Sequence, residues 1–279
     1  MTITGLRPGF IPAVELAAQA AAFGRTTGEY MLDLLEVARA RAYSPISGFR
    51  VGAVVLGASG SLSLGANIEF PGLPLNASVH AEQAALATAW HGGETALAAL
   101  GVTAAPCGHC RQFLSELSGA ADLPVVVAGH RRTTLGGLLP DAFGPADLGL
   151  QGGLLTPQHH ALALARPSDD PLALAALEAA EAAYAPYSAT YAGVAVVADG
   201  IVYQGRYAES AAFNPSLSPL QAALVAVAVS LEPFTRIERA VLVETEGPAS
   251  QRSATEALLA AVAPKASLAY VRAIEGSTP

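Results

Sequence analysis

The segment that decides the fold is Ala42-Tyr43-Ser44-Pro45-Ile46-Ser47, because it recurs 141 residues further along as Ala183-Tyr184-Ala185-Pro186-Tyr187-Ser188. A second segment, Gln83-Ala84-Ala85-Leu86, recurs as Gln221-Ala222-Ala223-Leu224 with an offset of 138. Small deletions in the loops explain the drift between the two offsets. A period of this length exceeds that of solenoid repeats, so the chain contains two tandem copies of one domain.

Each copy is predicted to fold as a helix, a pair of strands, a second helix and a further strand. In the first copy these elements are expected at residues 30–42, 51–56, 62–66, 81–90 and 98–103. In the second copy they are expected at residues 171–184, 193–198, 201–204, 220–231 and 239–244. Helices that alternate with strands predict an α/β fold whose sheet is covered by helices on both faces.

The repeat also divides the chain into four regions. We expect an N-terminal helical extension at residues 1–26, a first domain at 27–128, a linker at 129–168 and a degenerate second domain at 169–279. The extension is predicted to contain a helix at residues 13–23. The linker holds Gly136-Gly137, Gly152-Gly153 and several prolines, so it is expected to have little regular structure.

The amino-acid composition and net charge exclude some classes of function. Apolar residues make up 52% of the chain, and 15 basic against 23 acidic residues leave a net charge of −8. A nucleic-acid partner would require a basic patch, so we expect a small-molecule substrate instead. Residues 1–5 lack the basic start of a signal peptide, and the apolar stretch at 220–231 is about half a membrane span. These features predict a soluble, cytoplasmic protein without a membrane partner.

Metal-binding residue types are concentrated in the first copy, where His80-Ala81-Glu82 is followed by Pro106-Cys107-Gly108-His109-Cys110. Pro106 favours the start of a helix that reaches about residue 117. Both cysteines would then lie in its first turn, where the helix dipole favours thiolates. Two thiolates and a histidine suit tetrahedral Zn²⁺ with an open fourth position. A Cys-x-x-Cys pair by itself is also typical of redox chemistry.

Glu82 lies two residues from a predicted ligand, and a carboxylate in that place can transfer protons to and from water at the centre. Its alternative role is that of a first-turn carboxylate which favours the helix dipole. The second copy has lost all four groups, since the aligned positions hold Ser218, Leu220, Pro248 and Gln251. We therefore expect one zinc ion per chain and a non-catalytic second copy.

Further motifs accompany these residues, namely Tyr43-Ser44-Pro45-Ile46-Ser47-Gly48-Phe49, Gly65-Ala66-Asn67-Ile68-Glu69 and Leu139-Pro140-Asp141-Ala142-Phe143-Gly144-Pro145. Together with the histidine and cysteine motifs they resemble the cytidine and deoxycytidylate deaminase family, and within it the dimeric cytidine deaminases of two domains per subunit. The resemblance runs from about residue 27 to near the C-terminus. It implies a three-layer α/β/α sandwich with a mixed sheet, present as two tandem copies.

The resemblance also implies site roles: metal ligation by His80, Cys107 and Cys110, catalysis by Glu82, and substrate binding by Phe49, Asn67, Glu69, Ala81 and Phe143. Asn67 and Glu69 would bind the ribose hydroxyl, and Phe49 would pack on the base. From the residues alone, Asn67 and Glu69 can instead be a turn-stabilising pair, and Phe49 a core residue. Phe143 is expected to approach the substrate of a partner subunit.

The expected function is zinc-dependent hydrolytic deamination of cytidine and deoxycytidine to uridine and deoxyuridine, with release of ammonia, in pyrimidine salvage. The expected assembly is a homodimer with shared active sites. Two alternatives come from other classes, a thiol–disulfide oxidoreductase that uses Cys107 and Cys110, and a non-catalytic deaminase-like binding protein. A third is a zinc deaminase that acts on another base or on nucleic acid.

Overall fold

The computed structural model describes residues 9–129, 132–150 and 153–276. The signal-peptide argument concerned residues 1–5, which lie outside this part, as does Gly152 of the linker. Within the described part, the strands form two sheets. We call the first sheet with its helices the first domain, and the second sheet with its helices the second domain.

The first sheet has a mixed topology. Its strands are β1 (Phe10–Ile11), β2 (Gly52–Gly57), β3 (Leu62–Ala66), β4 (Leu97–Val102), β5 (Pro124–Val127) and β6 (Thr133–Thr134). Their order across the sheet is β1-β3-β2-β4-β5-β6. Strands β4 and β5 are parallel, and all other neighbours are antiparallel.

The second sheet repeats this arrangement. Its strands are β7 (Leu162–Leu164), β8 (Ala192–Ala198), β9 (Ile201–Arg206), β10 (Ile237–Thr245) and β11 (Ser267–Glu275), in the order β7-β11-β10-β8-β9. Here β10 and β11 form the parallel pair, and the remaining pairs are antiparallel. Strands β9, β8, β10 and β11 therefore correspond to β3, β2, β4 and β5.

Helices cover both faces of each sheet. They are α1 (Ala13–Ala22), α2 (Thr27–Asp33), α3 (Leu35–Arg39), α4 (Ala81–Gly92), α5 (Gly108–Leu114), α6 (Leu135–Leu138), α7 (Pro171–Glu181), α8 (Pro219–Val229) and α9 (Arg252–Val262). Short 3-10 turns occur at Leu75–Ala77, Ala120–Asp122, Pro145–Leu148 and Phe234–Arg236.

Successive side chains of the central strands point to opposite faces of the sheet and pack in different layers of the core. Val54 of β2 packs in a cluster with Leu16 and Leu35 from the outer helices, whereas its neighbours Ala53 and Val55 face the opposite side, toward α4. In the second sheet, Ala195 of β8 likewise faces α7 in a separate cluster. The largest core lies between the two sheets and contains buried residues of α4, α5, α8 and α9. The α/β/α fold predicted for each copy is confirmed, with the inner helices of both copies packed together.

The first predicted helix differs from the observed structure in two ways, and a capping pair explains one of them. The helix expected at residues 30–42 is two short helices, α2 and α3, joined at Leu34. Helix α2 begins three residues earlier than expected because the Thr26 hydroxyl accepts a hydrogen bond from the Glu29 N–H, while the Glu29 carboxylate accepts one from the Thr26 N–H.

The linker and the extension both contribute to the sheets. Within the linker range, β6 pairs with the first sheet and β7 with the second, each beside the parallel strand at that edge. In the extension, α1 lies at the predicted place, and β1 pairs with β3. Strand pairing therefore accounts for regular structure in a linker that was expected to have little.

None of the helices in the described ranges has the length and apolar character needed to span a membrane.

Candidate active site

Two helix N-termini meet at the site, and close packing places the first of them. Gly65 of β3 lies directly beneath α4, where an added Cβ would be 2.1 Å from the Ala85 nitrogen and 2.4 Å from the Ala81 oxygen. Glycine is therefore required for α4 to approach the sheet. His80 is the N-cap residue of α4 and Cys107 is the N-cap residue of α5.

His80, Cys107 and Cys110 converge at these two N-termini. The His80 Nδ1 atom is 3.3 Å from the Cys107 sulfur and 3.2 Å from the Cys110 sulfur, and the two sulfurs are 3.7 Å apart. Zinc–sulfur bonds of about 2.3 Å at a tetrahedral angle place two sulfurs about 3.8 Å apart. The donor set and its spacing fit Zn²⁺, and these three residues could hold the ion.

The surroundings favour a thiolate at the site. Hydrogen bonds with Cys110 and His80 lower the pKa of the Cys107 thiol to about 3. The N-terminus of α5 acts in the same direction, because its dipole favours negative charge.

Glu82 is the carboxyl group beside this centre. Its side chain is only 4% exposed, and burial raises its pKa. It lies in the first turn of α4, next to the Cys110 thiol. A buried carboxyl with a raised pKa accepts a proton more readily than an ordinary carboxyl and can release it again, as proton transfer requires.

Asn67 and Glu69 lie side by side and hold the loop that carries Phe49. The Glu69 carboxylate accepts hydrogen bonds from the Ile46 and Ser47 N–H groups at 2.8 and 3.0 Å, and from the Ser47 hydroxyl at 2.5 Å. The Asn67 amide accepts from the Val51 N–H at 2.8 Å and donates to the Phe49 carbonyl at 2.9 Å. Both side chains therefore make the loop-stabilising contacts expected if the two residues are a turn-stabilising pair.

The Phe49 ring projects outward from this loop and is 62% exposed, so the interpretation as a core residue is wrong. Ala81 is the fully buried first residue of α4, beside His80. Phe143 lies in the linker, where its carbonyl accepts a hydrogen bond from Gln112 of α5, and its ring is 46% exposed. The structure thus places Phe143 on a segment bonded to α5 and Phe49 on the loop held by Asn67 and Glu69, and both residues are accessible.

The counterpart region of the second domain has a different character. Ser218 replaces the histidine at the N-cap of α8, and its hydroxyl accepts from the Gln221 N–H. Tyr207 replaces Asn67 and is buried. Among the residues that the structure describes, the only three-residue group of potential metal ligands is the one in the first domain.

Two residues with contacts at the site were not predicted from the sequence. Ser47 bridges Glu69 and the Phe49 N–H, which donates to its hydroxyl at 2.9 Å. Gln83 accepts hydrogen bonds from the His80 N–H and from His109. The recurrence of Ser47 as Ser188 and of Gln83 as Gln221 was a usable signal, because both recur in a copy without the metal ligands.

Fold and ligand set together define an α/β enzyme with a three-ligand zinc centre. Two family models, both described as the cytidine and deoxycytidylate deaminase zinc-binding region, match residues 25–127 and 135–256. A cytidine deaminase from Photorhabdus laumondii is 48% identical over 257 residues, which are 90% of this chain and 87% of the relative. One from Yersinia pestis is 50% identical over 212 residues, 76% of this chain and 71% of the relative.

Among solved structures, the cytidine deaminase from Burkholderia pseudomallei is 35% identical, with a TM-score of 0.39, and the match covers 42% of this chain and 100% of that chain. The identity and coverage of the sequence relatives show that the chain belongs to the cytidine and deoxycytidylate deaminase family.

Proposed function

We propose that this chain hydrolyses cytidine and deoxycytidine to uridine and deoxyuridine with release of ammonia. The observation that carries the proposal is the convergence of His80, Cys107 and Cys110 beside the buried Glu82. Its support is the identity of about half of all aligned residues to proteins named cytidine deaminase. We assign catalysis to the first domain, residues 27–128, and a non-catalytic role to residues 169–279.

When bound, a zinc ion with an open fourth position supplies Lewis-acid activation of water. Glu82 takes a proton from the attacking water and delivers it to N3 of the pyrimidine, as oxygen bonds to C4. It then takes the proton of the new C4 hydroxyl and gives it to the exocyclic amine; the C4–N bond breaks, ammonia leaves and C4 becomes a carbonyl. Phe49 contacts the base, Asn67 and Glu69 receive the ribose hydroxyl, and the Ala81 backbone contacts the pyrimidine.

The test is the fall in ultraviolet absorbance as purified protein converts cytidine to uridine, with zinc measured in the same sample. We expect turnover and one zinc ion per chain. No turnover by zinc-loaded protein would refute the proposal, and two zinc ions per chain would refute a metal-free second domain. The oxidoreductase alternative is not favoured, since His80 lies against both sulfurs. Free thiols such as Cys107 and Cys110 are typical of cytosolic proteins, so we place the reaction in the cytoplasm, in pyrimidine salvage.

We further propose a homodimer with shared active sites. Its support is the exposure of large apolar side chains around the site, Phe49, Phe143 and Phe213, the last 71% exposed. A deamination site needs protection from bulk water, and a second subunit would cover these rings. We expect a particle of about twice the 28.2 kDa chain mass. Mixing and reassociating Glu82→Gln and Phe143→Ala chains should restore activity above that of either variant alone, and a monomeric active enzyme would refute sharing.

A further inference from the structure

A fully buried carboxylate outside the proposed chemistry links the two domains. Glu116 follows α5, the helix that contains Cys110, and its side chain has no exposed surface. The carboxylate accepts hydrogen bonds from the Tyr184 hydroxyl at 3.1 Å, the Tyr187 hydroxyl at 2.6 Å and the Ala211 N–H at 2.7 Å. All three donors belong to the second domain. A buried charge is unfavourable in free energy unless it is fully hydrogen-bonded. Separating the two domains would break these bonds and would therefore cost substantial free energy.

The tyrosine donors lie on the second-domain counterpart of the loop that carries Phe49. That loop keeps its architecture, because Glu209 accepts from the Tyr187 and Ser188 N–H groups at 2.8 and 3.1 Å and from the Ser188 hydroxyl at 2.5 Å. The same three bonds connect Glu69 to its own loop in the first domain. In the second domain, however, Tyr187 stands where Ile46 stands in the first, and it supplies the shortest of the bonds to Glu116.

A second contact joins the same region to the other metal-site helix. The Gln83 side chain of α4 donates to the Pro215 carbonyl at 2.9 Å, and its oxygen accepts from the His80 N–H at 3.3 Å. Segment 211–215 of the second domain is therefore held at one end by Glu116 and at the other by Gln83. Ala211 and Pro215 are buried, while the residues between them are exposed.

We propose that Glu116 and Gln83 are positioning residues, through which the second domain of the same chain fixes the two helix N-termini that hold the metal ligands. The degenerate loop has become the docking site for Glu116, and this accounts for its retained architecture in a domain without metal ligands. The inference rests on the zinc site of the proposed function, but not on the identity of the substrate.

The test uses the full-length, zinc-loaded protein and compares Tyr187→Phe with Tyr203→Phe. The first change removes one hydrogen bond to Glu116 with almost no loss of volume. The second removes a hydroxyl from a buried tyrosine of the same domain that has no hydrogen bond to Glu116. The measurements are the rate at which a chelator removes zinc and, after exchange of zinc for Co²⁺, the thiolate-to-cobalt absorption band.

Hydrogen bonds to buried charged groups contribute enough for about a tenfold change or more in an equilibrium. We therefore expect Tyr187→Phe to release zinc about tenfold faster and to shift the cobalt band, whereas Tyr203→Phe changes neither. Combining Tyr187→Phe with Glu116→Gln should add little to the effect of Glu116→Gln alone. Wild-type zinc release and an unshifted cobalt band in Tyr187→Phe and Glu116→Gln would overturn the proposal, even if both variants unfold more easily.

The outcome separates this inference from the proposed function. Protein that holds zinc but does not turn over cytidine refutes the proposed reaction and leaves the positioning role intact. If the purified wild-type protein holds no zinc at this site, both the proposed reaction and the positioning role are refuted.

Discussion

Replacing Ser47 with alanine tests how the substrate loop is organised. The Ser47 hydroxyl donates to Glu69 and accepts from the Phe49 N–H, so one oxygen connects the proposed ribose ligand with the proposed base-contacting ring. Burial disfavours the charged form of Glu69, but hydrogen bonds from Ser47 and Ile46 outweigh that effect and lower the pKa of its carboxyl. Ser47→Ala removes a donor to a carboxylate and releases the Phe49 backbone at once.

The expected size follows from the character of the bond. A hydrogen bond to a charged group contributes about 1.5–3 kcal/mol, and a solvent-accessible loop favours the lower end of that range. About 1.5 kcal/mol corresponds to roughly a tenfold change in binding. We expect the KM for cytidine to rise about tenfold and kcat to change by less than about threefold, since Glu82 and the metal ligands are untouched. Removing Ser47 should also raise the pKa of Glu69. The charged acceptor is lost as the pH falls through that pKa, so the increase of KM in acid should begin at a higher pH in Ser47→Ala than in the wild type.

The second domain provides a matched control. Ser188 makes the corresponding bond to Glu209 and accepts from the Thr190 N–H at 3.0 Å, so Ser188→Ala deletes the same interactions. Both variants should lose similar stability in urea denaturation, but only Ser47→Ala should raise KM in the ultraviolet assay. An unchanged KM in Ser47→Ala, or an equal rise in Ser188→Ala, would refute the reasoning.

Three further expectations concern the centre and the scaffold. Glu82→Gln should retain zinc while kcat falls by at least about 10²–10⁴-fold, and near-normal turnover would show that another group moves the protons. Gly65→Ala should lower the free energy of unfolding by about 1–3 kcal/mol or more and weaken zinc binding, because its Cβ collides with the backbone of α4; urea titration and metal analysis measure both. Asp170 caps α7 and its pKa is lowered by Arg239, so its contribution is present at neutral pH and is lost as the pH falls through the folded-state pKa. Asp170→Asn, which preserves the cap, should cost at most about 1 kcal/mol at pH 7 and flatten the acid limb of stability against pH.

Local sequence signals predicted which side chains would converge as candidate metal ligands, because each motif occupies a helix start. The spacing of Cys107 and Cys110, and the position of His80 before an apolar helix, are short-range features. The repeat predicted β2, β3 and β4 and their counterparts β8, β9 and β10 in the same way, but not the parallel strands β5 and β11. Short edge strands escaped prediction, since β1, β6 and β7 span two or three residues and are defined by partners far along the chain.

The contacts that organise the site could not be predicted from short-range sequence signals. Glu116 is 68, 71 and 95 residues from its three donors, so nothing in its neighbourhood distinguishes it from a surface glutamate at a helix end. The Thr26–Glu29 capping pair, in contrast, could have been predicted from its spacing of three residues, and it would have placed the start of α2 correctly.

One pair of glutamines makes equivalent contacts in both copies, although only the first copy has the candidate metal ligands. Gln83 and Gln221 occupy the third position of their helices, and each accepts a hydrogen bond from the N–H of its N-cap residue, His80 or Ser218. Each also donates across to the other domain, Gln83 to Pro215 and Gln221 to the Ala77 carbonyl at 2.7 Å. Replacing either glutamine removes a helix cap and an interdomain bond together. A serine at the N-cap in place of histidine removes only a metal ligand, because serine is itself a favourable N-cap. The interface therefore constrains both copies, whereas the metal centre constrains only the first.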